Sequence, residues 1–237
     1  MQQQKSPISF LQTYLKEIVY GGNDGIVTTF AVVAGFTGAA ANGNIAAYSY
    51  ATVLLFGLAN LFADAASMGL GNFLSVRSEQ DVYNAQRRKQ QNNIQTSSEK
   101  QKELTNHLLL QKGYTKEQAE QMTNLFASNE KHWTQFLMNN AVGLPNPSDE
   151  KPVYTGLMTF LSFILFGSIP LLPYIFFGAN SNLFLYSSMF SLAALVLLGI
   201  IRGRIVQENM LQSILEIMTV GTVAASLAYF VGTFFKI

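Results

Sequence analysis

The chain has 237 residues, 49% hydrophobic and only 12% charged, where a soluble domain carries about 25% charge. Its net charge of +1 lacks the basic excess that nucleic acid demands. The absence of cysteine excludes disulfides, iron–sulfur clusters, haem thiolates and thiolate zinc. Charge is missing from five apolar windows and gathered in one middle segment. That pattern predicts an all-α membrane protein with five transmembrane helices and a small cytoplasmic helical domain between spans two and three.

Residues 1–17 begin with a polar stretch and continue as an amphipathic segment (Phe10, Leu11, Tyr14, Leu15), read as a short interfacial helix leading into the membrane. No small-residue cleavage site follows, so no signal peptide is expected. Transmembrane helices 1 and 2 occupy residues 18–76. The first runs from Ile18 to about Ala41, Asn42-Gly-Asn44 makes a tight turn, and the second extends from about Ala46 to Val76. The second exceeds the roughly 20 residues of one crossing and should protrude as a continuous helix.

Residues 77–152 form the predicted cytoplasmic helical domain. Its signals are Ser98-Glu-Lys at a helix start, Gly113 at a stop, Thr115-Lys-Glu at the next start, and Asn129 ahead of a helix from Glu130 to about Asn140. Trp133, Phe136 and Leu137 should pack its core. Pro145, Pro147 and Pro152 break the chain before residues 153–237 supply helices 3–5, at about Thr155–Phe177, Leu183–Ile201 and Leu215–Phe235. Gly178 to Asn182 is a turn, Arg202-Gly-Arg204 ends span four, and a polar helical bridge (Gln207, Glu208, Gln212) leads to span five.

Basic residues orient this arrangement. Lys5 and Lys16 precede span one, Arg77 and Lys151 flank the middle segment, and Arg202 and Arg204 follow span four. The two short turns on the other side carry none. The N-terminus and residues 77–152 are therefore expected in the cytoplasm.

Chemistry concentrates in the first two spans. Asp24 lies among Gly21, Gly22 and Gly25, with Asn23, Thr28 and Thr29 nearby. An Asp near a helix centre costs about 2.5–3.5 kcal/mol on insertion scales, so it should face a partner, a cavity or a cation. Glu17, seven residues earlier, shares its face. In span two Asn60, Asp64, Met68 and Asn72 recur at i+4 and make one slowly spiralling polar stripe. Carboxylates, amides and one thioether suit an intermediate divalent ion, Fe(II) or Mn(II) rather than Ca(II) or Cu(I). The two Asp could equally carry protons, or pair structurally and hold helices together. In the middle segment Glu99, Glu103 and His107 lie along one helix edge, and Glu117 and Glu120 form another pair, with Met122 and Met138 in reach. Interspersed lysines favour a solvated face there, and His107 and His132 read as exposed or packed. No phosphate-cradling loop is present, and no Cys or His falls in any span, so no enzyme and no resident cofactor are expected.

Two stretches, Gly22-Asn-Asp-Gly-Ile-Val-Thr-Thr29 and Ala63-Asp-Ala-Ala-Ser-Met-Gly-Leu-Gly-Asn-Phe-Leu-Ser-Val-Arg-Ser78, resemble the signature stretches of the vacuolar iron transporter family. Phe166–Tyr174, Gly199–Arg204 and Leu215–Gly221 are similar to its later segments, in the same order. The resemblance implies a five-span homodimer that moves Fe(II), and often Mn(II), out of the cytoplasm in exchange for protons, along a path at the dimer axis. It implies that Asp24 is the essential membrane carboxylate, Met68 the thioether and Glu17 a carboxylate near the cytoplasmic mouth. Asn72 departs from the family's usual carboxylate. The Glu-rich extension of span two reads Gln90-Gln-Asn-Asn93 here, and a Met-Met-x-Glu-Glu stretch reads Leu137-Met-Asn-Asn-Ala141. Glu103 is the clearest carboxylate left of the metal-collecting set, so the membrane site looks intact and the cytoplasmic one depleted. The expected partners are thus a divalent metal ion, the lipid bilayer and a second copy of the chain. The host membrane is a bacterial inner membrane or a vacuole. The alternative is a non-transporting scaffold or sensor whose helical domain binds a partner.

Overall fold

The computed structural model describes residues 7–40, 50–147, 150–178 and 182–234. The expected turn at 42–44 and the middle of that at 178–182 lie outside them. Every regular element among the described residues is helical: α1 (Pro7–Thr13), α2 (Leu15–Ala40), α3 (Tyr50–Thr96), α4 (Ser98–Gln111), α5 (Lys116–Ala127), α6 (Glu130–Leu137), α7 (Pro152–Gly167), α8 (Leu172–Phe176), α9 (Leu183–Val206) and α10 (Met210–Phe234). The chain divides into two units, residues 1–73 with 153–237, and residues 74–152.

In the first unit α2 is the shared helix of two apolar clusters. Val33 joins Leu61, Ala65, Phe163 and Leu171 in one, and Ile18 and Ile26 join Phe166, Leu195, Leu198 and Ile217 in the other. Missing side chains let it sit there. A Cβ built on Gly25 would lie 2.5 Å from the Phe163 carbonyl oxygen, one on Gly21 2.7 Å from that of Thr159, and one on Gly167 2.8 Å from that of Gly25. At its other end the backbones of Gly38 and Gly35 meet Tyr229 and Gly232 of α10. Small residues that admit close backbone approach are the usual device for packing helices in lipid, where burial of apolar surface gives little drive.

Among the described residues four helices are long and apolar enough to cross a membrane: α3, the α7–α8 segment Pro152–Phe176, α9 and α10. The protein is therefore an all-helical, multi-pass membrane protein. Helix α2 has 26 residues, but Asn23 and Asp24 interrupt its apolar run and it is not among the four. Helix α3 is one helix of 47 residues, continuous past the expected span as its length suggested. Span three is broken, with a 3₁₀ turn at Ile169–Leu171 separating α7 from α8. Pro170 and Pro173 cannot donate to a helical ladder. The buried Ser187 hydroxyl of α9 donates to the Pro170 carbonyl at 2.7 Å. Span four runs further than expected, to Val206. Arg202 does not end it, because its guanidinium turns to Glu216 of α10 at 2.6 Å. The helix stops only at Gln207, whose φ of 60° is left-handed. No helical bridge follows: residues 207–209 make a turn, and Asn209 Oδ1 accepts from the Leu211 N–H at 3.0 Å to start α10.

The second unit follows its sequence signals closely. Thr115 and Gln118 form a reciprocal capping box at α5, Asn129 Oδ1 accepts from the His132 N–H at α6, and Gly113 sits at φ 93° after α4. Past Leu137 the chain widens into a π-helical turn, Met138–Val142, closed by Gly143 at φ 75°. The core joins Ile94, Trp133 and Leu137, with Leu108, Phe126 and Phe136 against them. Trp133 is 2% exposed. Its indole N–H donates to Thr105 Oγ1 at 2.8 Å, and the Thr105 hydroxyl donates to the Gln101 carbonyl at 2.7 Å.

Two measurements check these packings. Gly25→Ala must push α7 away and should cost about 1–3 kcal/mol, lowering the thermal midpoint of the detergent-purified protein. Gly71→Ala, with nothing within 4 Å, should leave that midpoint unchanged or raised, since Ala is favoured over Gly by about 1 kcal/mol in a helix. Thr105→Val strands the buried indole N–H and should cost about 1–3 kcal/mol, read from denaturation followed by the fluorescence of Trp133, the only tryptophan in the sequence.

Candidate metal site

Of the polar residues of α2 and α3, Asp24 and Asp64 come near each other within the first unit. Gly21 and Gly25 commit one face of α2 to α7, and Asp24, one position before Gly25, is turned off that face and half-buried. Its carboxylate lies within electrostatic reach of Asp64 on α3. Asn60, one turn before Asp64, donates from Nδ2 to Asp64 Oδ2 at 2.7 Å, which fixes that carboxylate's rotamer and leaves its other oxygen for a further partner. Two carboxylates on neighbouring helices offer oxygen donors of the kind a divalent cation takes.

The remaining stripe residues fare differently. Glu17 is buried, at 7% exposure, in the first turn of α2. Met68 is half-buried and packs against the apolar cluster around Leu61, Ala65 and Phe163. Asn72 donates from Nδ2 to Thr159 Oγ1 of α7 at 2.7 Å, and Thr159, itself buried, donates to the Thr155 carbonyl at 3.0 Å. Asn72 is therefore a tie between α3 and α7. Thr28 gives its hydroxyl proton to the Asp24 carbonyl at 2.8 Å, so only its lone pairs remain for a ligand. Thr29 is fully buried, and its Oγ1 has no hydrogen-bond partner among the described residues. No three His, Asp or Glu among the described residues converge to hold a metal ion by themselves. One copy of the chain brings the Asp pair together and stops there.

In the second unit Glu103 is exposed and shares a cleft of about 540 Å³ with Lys102, His107 and Glu120 between α4 and α5. Glu99 is taken by Lys102 at 2.7 Å, and His107 contacts Gln111 at 3.0 Å. These contacts describe a solvated face. Met138 is fully buried, so its thioether faces the bundle core.

A Thr partner 87 residues away leaves no local trace, and Thr159 was not visible as part of this region in the sequence. The sequence profile of the VIT family matches residues 15–233, which takes in both Asp-bearing helices and nearly all that follows. The chain belongs to the VIT family. The vacuolar iron transporter of Toxoplasma gondii is similar to this VIT-family chain at 33% identity over 233 residues, 94% of this chain and 75% of the relative. Vacuolar iron transporter 2 of Oryza sativa subsp. japonica is 30% identical over 215 residues, covering 91% and 85%. The vacuolar iron transporter of Centaurea cyanus is 29% identical, with the same coverage.

The Asn72 tie separates two roles that a carboxylate and an amide share. Asn72→Asp in this VIT-family chain should fold within about 1 kcal/mol of the parent, because the Thr159 hydroxyl can reorient and donate to the carboxylate. Asn72→Leu leaves that hydroxyl without its cross-helix partner and should cost about 1–3 kcal/mol. Thermal unfolding in detergent compares the two.

Proposed function

We propose that the chain is a transmembrane divalent-metal transporter that moves Fe²⁺ or Mn²⁺ out of the cytoplasm in exchange for protons, in the service of iron and manganese homeostasis. The observation that carries this reading is the Asp24–Asp64 pair: two carboxylates on neighbouring helices of an apolar bundle, in a chain whose relatives are named iron transporters. In this reading α2 is the fifth span. Its Asn23-Asp24 turn, which keeps it below the apolarity of the others, is the functional group the membrane has to accommodate.

Asp24 and Met68 are the first ligands, Asp64, Asn60 and Asn72 line the path, and Glu17 stands at its cytoplasmic entrance. A single copy offers two carboxylates, and an ion of this class takes more oxygen donors than that. A homodimer that presents the same pair from each side of an axis would complete the set. Protons and metal then compete for the same oxygens, which couples their movement without a separate device. Glu103 is the remaining carboxylate of the cytoplasmic collecting surface. In the scaffold alternative the two Asp are structural, and the Asn60 and Asn72 hydrogen bonds are the contacts that favour it.

Purified protein in liposomes decides between them. Fe²⁺ or Mn²⁺ flux should appear with a pH gradient, and Asp24→Ala should lower it by at least about tenfold while the protein still folds. No flux from the parent would leave the scaffold reading standing, and equal flux from parent and Asp24→Ala would remove Asp24 from the path.

A further inference from the structure

Along the second half of α2, the seam between α2, α9 and α10 opens into a cleft of about 610 Å³. None of the residues assigned to the metal path lines it. Ala34, Ser191, Leu195 and Gly221 are buried and make its floor. Leu192 and Phe230, 43% and 59% exposed, stand at its rim, on the surface that α9 and α10 turn to the bilayer. At one end a Cβ on Gly221 would lie 2.6 Å from Leu195 Cδ1, so α9 and α10 close there. Towards the other, the Phe184 ring stands 6.0 Å from that of Phe30 and 6.2 Å from that of Tyr229, centroid to centroid.

The depth and coating of the cleft narrow its occupant. Gly221 and Tyr229 are eight residues apart on α10, about 12 Å along the helix. One leaflet of bilayer hydrocarbon is about 15 Å deep. Thr37 lies near the end of α2 and Phe184 near the start of α9, so the cleft runs from one membrane face to about the midplane. A spanning helix of another protein would need a groove of about 30 Å, and it would meet the closed seam at Gly221. Four lining hydroxyls give their protons to carbonyls of their own helices, Thr37 to Val33, Ser188 to Phe184, Ser191 to Ser187 and Ser226 to Thr222, at 2.7–2.8 Å. Water would find few donors there. A void of this size would forfeit the dispersion contacts of its walls. Hydrocarbon meets both conditions.

We infer that the cleft is a site for one acyl chain of a membrane phospholipid. The chain enters sideways between Leu192 and Phe230, from the leaflet at which α2 ends and α9 begins. Its methylenes lie over Ala34 and Ala225, and its terminal methyl stops at the Gly221–Leu195 contact. The headgroup stays outside, so chain length is recognised and headgroup charge is not. The site is independent of transport and rests only on α2, α9 and α10 lying in a bilayer.

The full chain, purified in detergent and stripped of loosely held lipid, tests this by native mass spectrometry and thermal unfolding. The probes are long-chain phosphatidylcholine, long-chain phosphatidylglycerol and a short-chain phosphatidylcholine. One long-chain molecule should be retained per chain, whichever headgroup it carries, and should raise the midpoint by about 2–4 °C. The short-chain lipid should do neither. Ala225→Leu and Ser188→Leu each fill the cleft, and should abolish retention while keeping or raising the lipid-free midpoint. No retained lipid in the parent, equal retention of the short-chain lipid, or unchanged retention in both variants would each overturn the proposal. A lowered lipid-free midpoint in both variants would show a cleft without room for a chain and overturn it as well. So would a mass showing that the filling substitutions separate two copies of the protein, since a partner helix would then be the occupant.

Discussion

Backbone contact between α2 and α7 is the constraint from which the first unit is built. At Gly21, Gly25 and Gly167 the two helices leave no room for a Cβ, so their separation and rotation are set by main-chain atoms rather than by adaptable side chains. Dispersion across such a contact is individually weak and collectively large. It holds most strongly where both surfaces are smooth. Once that face of α2 is taken, the rotation of every other residue on the helix follows. Asp24 is carried off the α7 face to within electrostatic reach of Asp64, and Asn23 is turned toward α9 and α10.

The carboxylate pair is thus a product of packing as much as of composition. An isolated Asp in hydrocarbon is expensive, and a second one nearby adds repulsion. The fold supplies only part of the compensation: an Asn60 hydrogen bond to one oxygen of Asp64 and half-burial rather than full burial of Asp24. In the proposed reading the transported cation supplies the rest. The same logic separates Asn72 from the pair. Its amide N–H donates to Thr159, so it contributes stiffness between α3 and α7.

Much of this was legible in the sequence because the signals were local. Thr115, Asn129 and Gly113 mark their helix ends through contacts no more than a few residues away, and a second span too long for one crossing foretold a protruding, continuous α3. The amphipathic spacing of Trp133, Phe136 and Leu137 likewise gave the second unit's core. What escaped depended on distant partners. Arg202 reads as a terminator until Glu216, fourteen residues on, takes its charge and lets α9 continue. The polar stripe of α3 reads as one surface, yet Asn60 serves Asp64, Met68 joins an apolar cluster and Asn72 crosses to α7. Periodicity identifies a shared face but not which neighbour each residue meets.

The matched glycine faces of α2 and α7 also bear on how the chain is made. About 140 residues separate Gly25 from Phe163, and at 5–20 residues per second a ribosome takes about 7–28 s to deliver the second after the first. For that interval the most polar of the long apolar helices has no docking partner of its own shape. Nascent α2 must therefore wait, sheltered by α3 or by the insertion machinery, until α7 emerges and closes over it.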